Sequence, residues 1–165
     1  MSAEVLRQRA VRYRRGANRN GLNKKLTLAY PSIKFTMSFK KRASSLLEIQ
    51  LQRVAATHGF TPKVLSQNGL VFEMENLNAP CLADVYGEAF HELPQWIQDE
   101  VRRIVAVLYE REGIEYVDIT PYNFIEKNGK LWIIDFGHAY YTEPMNYFLK
   151  EFLLGNESTW NPDFK

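Results

Sequence analysis

Three polar residues in the second half of the 165-residue chain have types and spacing that could do chemistry. Asp118 lies five residues before Asn123 in Tyr116-Val-Asp118-Ile-Thr-Pro-Tyr-Asn123-Phe-Ile. Asp135 follows the apolar run Leu131-Trp-Ile-Ile134 and precedes Phe136-Gly137. Short strands over Asn123–Ile125 and Leu131–Ile134, joined by Lys127-Asn128-Gly129, predict a hairpin, because Asn-Gly suits the tight primed turns. That hairpin would bring Asn123 and Asp135 together. One carboxylate and one amide oxygen suit Mg²⁺, which takes few protein ligands and fills its shell with phosphate oxygens and water. Asp118 would stand in front of them, free to accept a hydroxyl proton.

This constellation resembles the protein-kinase superfamily, whose catalytic loop reads His-Arg-Asp-Leu-x-x-x-Asn and whose metal-binding motif is Asp-Phe-Gly. Asp118, Asn123 and Asp135-Phe136-Gly137 match in identity, order and interval. The resemblance implies ATP and Mg²⁺ as cofactors, with Asp118 as the catalytic residue and Asn123 and Asp135 on the metal. Upstream, Pro31-Ser-Ile-Lys34 resembles Val-Ala-Ile-Lys, which makes Lys34 the phosphate-holding lysine. Glu48, fourteen residues on, would be its ion-pair partner. Ser45-x-x-Glu48 is also a capping box, in which Glu48 would only satisfy a helix start at Ser45. Met74-Glu75-Asn76-Leu77 looks like the hinge, with Met74 as gatekeeper and the backbone of Glu75 and Leu77 reading the adenine edge.

The departures from the pattern are informative. No Gly-x-Gly-x-x-Gly loop is present, and Tyr116-Val117 replaces His-Arg. The arginine that would pair with an activation-loop phosphate is therefore missing. Thr120 stands where ordinary Ser/Thr kinases carry a lysine near the transferred phosphoryl; RIO kinases and the kinase of the KEOPS tRNA-modification complex also have Ser or Thr there. Only 28 residues follow Gly137, without an Ala-Pro-Glu motif. The expectation is a minimal kinase, of a size suited to a compact viral or phage genome.

The elements that must position these residues follow from periodicity. Residues 26–37 alternate and read as strand, and Ser38–His58 reads as one helix with Leu47, Leu51, Val54 and Ala55 on a face. Lys63–Leu65 and Leu70–Met74 form a hairpin around Asn68-Gly69. A helix opens at Pro94, buries Ile97, Val101, Ile104, Val105 and Leu108, and stops at Gly113. The tail from Thr142 reads as a short helix, Met145 to Leu154, and a disordered end. Trp132 is expected in the core. The histidines lack mutual metal spacing and read as ordinary surface or core residues, and Cys81 reads as structural.

Composition limits the remaining choices. Hydrophobic residues make up 45% of the chain, enough for one domain with a real core. No apolar run is long enough for a transmembrane helix, the N-terminus lacks a secretory signal, and one cysteine excludes a disulfide framework; a cytoplasmic protein is expected. Residues 1–42 hold twelve Lys and Arg against one acid, and the rest hold nine against eighteen, so a front of +11 faces a body of −9. Basic residues 7–25 are expected either to dock on the acidic body or to meet nucleic acid or another anionic partner. The expected fold is α+β, a truncated bilobal kinase-like domain: basic arm 1–25, N-lobe 26–77 with a small antiparallel sheet and one helix, reduced helical C-lobe 78–141, tail 142–165. The expected activity is γ-phosphoryl transfer from Mg·ATP to a protein Ser or Thr. The alternatives are a small-molecule phosphotransferase of the aminoglycoside-kinase type and a pseudokinase scaffold binding through its basic arm. Dimerisation is one way the short lobe could be completed.

Overall fold

A computed structural model describes residues 37–164. The strand reading of 26–36 and the placement of Lys34 lie outside these residues. The architecture is α+β, as expected, with three small antiparallel sheets beside four helices among the described residues.

The first sheet holds β1 (Ser38–Arg42), β2 (Val64–Asn68) and β3 (Val71–Glu75) in the order β1-β3-β2. β1 corrects the sequence reading, which ran a helix through Ser38–His58. It pairs antiparallel with β3, Lys41 opposite Phe72, and almost all of its side chains are exposed. A strand without a buried face leaves no period in the sequence; distant backbone pairing specifies it. The helix α1 (Leu46–Thr57) begins only after Ser45, which has extended backbone and accepts a hydrogen bond from Glu48 N at 3.2 Å. The capping signal was therefore the correct guide to the helix start.

The long helix α3 (Gln95–Glu112) has Pro94 at its N-cap and ends at Gly113, whose φ of 65° is the left-handed conformation glycine adopts freely. Its Ile97, Val101, Ile104, Val105 and Leu108 are fully buried, on the face the spacing predicts. The hairpin of β5 (Phe124–Lys127) and β6 (Lys130–Ile133) turns on Asn128 and Gly129, with φ of 56° and 70°. Two successive positive φ values define the primed turn that Asn-Gly favours. The smaller elements are α2 (Leu82–Tyr86), the β4 (Ile114–Glu115) and β7 (Tyr140–Tyr141) pair, and α4 (Tyr147–Leu153).

The end of the chain is packed through residue 164, against the expectation of disorder. Arg102 donates from Nε to Phe152 O at 3.1 Å while its guanidinium covers the Phe90 and Phe152 rings. Trp160 packs edge-on against Phe90, and Asn161 is 3% exposed. Trp132, expected in the core, is half-buried with Lys130 Nζ over its ring at 3.7 Å.

Candidate active site

Two loops meet at the base of a cleft. The loop from Tyr116 to Asn123 leaves β4 and enters β5 through a short 3₁₀ turn, Pro121–Asn123. The second loop leaves β6 at Ile134. The Tyr116 hydroxyl donates to Ile134 O at 2.6 Å, and Ile134 N donates to Asn123 O at 2.9 Å, so the two loops are fastened on either side of the hairpin. Asn161 fastens the first loop from below: its Nδ2 donates to Val117 O at 2.8 Å and its N to Ile119 O at 3.0 Å.

Within this frame Asp118 carries a side chain 16% exposed. Its Oδ1 faces the buried Thr120 hydroxyl at 3.4 Å, and its Oδ2 lies 3.1 Å from His138 Nδ1. Asn123 uses Nδ2 on Asp118 O at 3.1 Å, which leaves its amide oxygen without a partner among the described residues. Asp135 adopts φ of 61°, a left-handed backbone that costs a non-glycine residue roughly 1 kcal/mol. Its Oδ1 accepts from Gly137 N at 3.1 Å, closing the turn that offsets this strain. A Cβ on Gly137 would meet that same oxygen at 3.1 Å, so a larger residue there would have to push the Asp135 carboxylate by a few tenths of an ångström.

Among the described residues, Lys41 is the lysine that joins these groups. Its Nζ lies 2.7 Å from Glu48 Oε1 and 2.8 Å from Asp135 Oδ1, joining the β1–β3 sheet, α1 and the second loop. Glu48 is 2% exposed, and its other oxygen accepts from Ser44 N at 2.7 Å and Ser44 Oγ at 2.9 Å. Such a buried carboxylate is tolerable because both oxygens are engaged, Oε1 by the Lys41 charge and Oε2 by Ser44. Glu48 thus sits beside a helix start and also pairs a lysine, here Lys41; its expected pairing with Lys34 lies outside the described residues. Burial lowers the affinity of Lys41 for its proton, but hydrogen bonds and charge from Asp135 and Glu48 overcome this and raise its pKa above 10.5. Burial likewise raises the pKa of Asp135, and Lys41, with help from Gly137 N–H and His138, brings it below 3.8.

Beside this triad lies a largely apolar cavity of about 430 Å³. Phe39 and Met74 come from the sheet, Ile125 and Ile134 form the hairpin side, and residues 75–80 form the connecting edge. Met74 is buried, with Gln52 Nε2 2.9 Å from its sulfur. On the connecting edge, Glu75 N donates to Lys63 O, and Leu77 O accepts from Lys127 Nζ. Leu77 N–H has no acceptor among the described residues. Cys81 caps α2 and donates to Asp84 Oδ2 at 3.2 Å.

A protein-family model, the RIO domain, matches residues 29–152. The chain belongs to the RIO-domain family. RIO domains fall within the atypical protein kinase superfamily, which agrees with the kinase-like motifs and with the features shared with RIO and KEOPS kinases. A 65-residue stretch is 40% identical to the probable serine/threonine-protein kinase BUD32 homolog of Archaeoglobus fulgidus. That match covers 37% of this chain and 33% of the relative, so the chain spans about a third of that protein's length. A solved Mycobacterium tuberculosis structure, Rv3197 in complex with erythromycin, aligns over 57% of this chain and 26% of its own, with 23% identity and a TM-score of 0.46.

In this RIO domain the donor set fits a hard divalent cation. Asn123 Oδ1 and Asp135 Oδ2 are both without partners among the described residues, and together they supply two hard oxygens. No group of three or more His, Cys, Asp and Glu side chains forms a metal cage among the described residues, so substrate oxygens and water would have to complete the shell. Lys41, His138, Asn161 and the Tyr116 tie escaped the sequence reading. The Val-Ala-Ile-Lys resemblance points to Lys34, which lies outside the described residues, and Lys41 sits on a strand that gave no period. No helix among the described residues is long and apolar enough to cross a membrane.

Proposed function

We propose that this RIO domain transfers the γ-phosphoryl group of ATP to a hydroxyl, with a protein Ser or Thr as acceptor. The observation that carries the reading is Lys41, held between Glu48 and Asp135, while Phe39 on the same strand and Ile134 next to Asp135 line the apolar cavity. A lysine poised by two carboxylates beside a flat apolar slot suits a purine nucleotide whose phosphates leave the slot toward the cation. The Leu77 N–H offers a donor to the purine edge. Asn123 and Asp135 would hold Mg²⁺, which when bound neutralises charge on the phosphate oxygens.

Asp118 orients the acceptor hydroxyl and accepts its proton. The hydroxyl oxygen forms a bond to the γ-phosphorus as the bond to the β–γ bridging oxygen breaks, and ADP leaves with that electron pair. Lys41 contributes charge stabilisation on the phosphates, and the rate gain is mainly positioning. A protein acceptor is favoured by the likeness to the Archaeoglobus fulgidus protein, a probable serine/threonine-protein kinase.

Melting temperature with and without Mg·ATP tests the site. Ligand at ~100 times its Kd adds about 2.7 kcal/mol, a rise of roughly 5–11 °C for a domain of this size. The rise should vanish in Asp135→Ala and without Mg²⁺. Asp118→Ala should keep the rise and lose phosphoryl transfer. Normal transfer in either variant would sink the assignment.

A further inference from the structure

Asp118 can serve an acceptor hydroxyl only if its carboxylate points in one direction, and an aspartate turns freely about two torsions unless something holds it. The Thr120 hydroxyl is a weak restraint at 3.4 Å. The stronger contact is His138 Nδ1, 3.1 Å from Oδ2. His138 is one residue beyond Asp135-Phe136-Gly137, with a side chain 63% exposed. An exposed side chain on a loop would not hold another group still by itself.

Its support comes from the end of the chain. The Phe164 ring packs against the imidazole, centroids 5.2 Å apart and planes 54° apart. Phe164 N donates to Asn161 O at 3.2 Å, and buried Asn161 grips Val117 O and Ile119 O, the carbonyls on either side of Asp118. A closed circuit therefore runs from Asp118 to His138, to Phe164, to Asn161 and back to the loop that carries Asp118.

We propose that His138 is a positioning residue for phosphoryl transfer, holding Asp118 through Nδ1 and itself backed by Phe164. The inference rests on the phosphotransferase reading above. Asparagine and glutamine separate its parts, because the Asn amide nitrogen reaches where Nδ1 sits and the Gln amide nitrogen reaches where Nε2 sits.

The test measures ADP release with dephosphorylated casein as the acceptor, in wild type, His138→Ala, His138→Asn, His138→Gln and Phe164→Ala. Melting temperature with and without Mg·ATP is recorded for each protein. His138→Ala should lower kcat roughly 10- to 100-fold and leave the KM for ATP within about twofold and the Mg·ATP-induced rise intact. His138→Asn should recover to within about threefold of wild type, His138→Gln should stay low, and Phe164→Ala should fall between. Wild-type kcat in His138→Ala, a loss confined to KM, or an Asn variant no better than Gln would overturn the inference and leave the phosphotransferase reading standing. A wild-type protein with neither ADP release nor a Mg·ATP-induced rise would overturn both.

Discussion

The sheet of β1, β2 and β3 packs on α1 through four buried apolar side chains, Ala43, Ile49, Phe72 and Met74. The other half, built on α3 and the β5–β6 hairpin, shares a core of twenty-one. The helix α1 serves both, giving Ile49 to the small core and Leu51 and Ala55 to the large one. Among the described residues this sheet buries few side chains, and three strands so sparsely covered are marginal by themselves. Its attachment to the larger half is partly polar, through Lys41 and Glu48 to Asp135. The difference teaches that, among the described residues, most of the buried apolar side chains lie in the large core, and the small half joins it both through α1 and through charge at the place where the proposed chemistry occurs.

Truncating the large core should have the largest effect. Ile104→Ala, at a fully buried position on α3, should cost about 4 kcal/mol in urea unfolding. A cost under about 1 kcal/mol would break the comparison, because the site would then not be the centre of a tight core. Next in size is Glu48→Ala, which strands Lys41 and the Ser44 N–H; a loss of about 2 kcal/mol is expected, with a smaller Mg·ATP-induced rise in melting temperature. An unchanged rise would separate the bridge from the nucleotide site. In the small core, Ile49→Val should cost only about 1 kcal/mol, and a loss as large as that of Ile104→Ala would erase the distinction between the halves.

The smallest effect is on pH. The folded pKa of Asp135 lies below its ordinary 3.8, so its contribution is complete at higher pH and is lost as pH falls from 3.8 through the folded value. The side chain is 44% exposed, so less than about 1 kcal/mol is at stake. Urea unfolding from about pH 5 to pH 2 should show a shallower fall in Asp135→Asn than in wild type. Lys41 works in the opposite sense: with a pKa raised above 10.5, it contributes fully below that pH and is lost as pH rises past its folded value. Parallel acid curves for wild type and the Asn variant would mean that the bridge adds nothing to the fold.

Legibility in the sequence followed locality. The interval from Asp118 to Asn123, the Asn128-Gly129 turn and the Pro94–Gly113 helix are set by residues close in the chain, and they could be read directly. The 38–42 strand could not, because its side chains face outward and its partner β3 lies thirty residues away. Lys41 was missed for the same reason, since its place opposite Phe72 is defined by a register and not by a local motif. The contacts of Asn161 and Phe164 with the Asp118 loop arise from a chain end whose polar composition resembles that of an unfolded tail.

Tyr116 stands at the catalytic-loop position that kinases give to histidine, and its buried hydroxyl joins the two loops through Ile134 O. Burial above all, then the neighbouring Asp118 and Asp135 carboxylates, push its ionisation well above the usual phenol value near 10, against a smaller opposing pull from Asn123. An imidazole in that place would change charge close to neutrality. The phenol does not, so the tie that sets the spacing between the two loops keeps its proton and its hydrogen bond across the ordinary range of acidity.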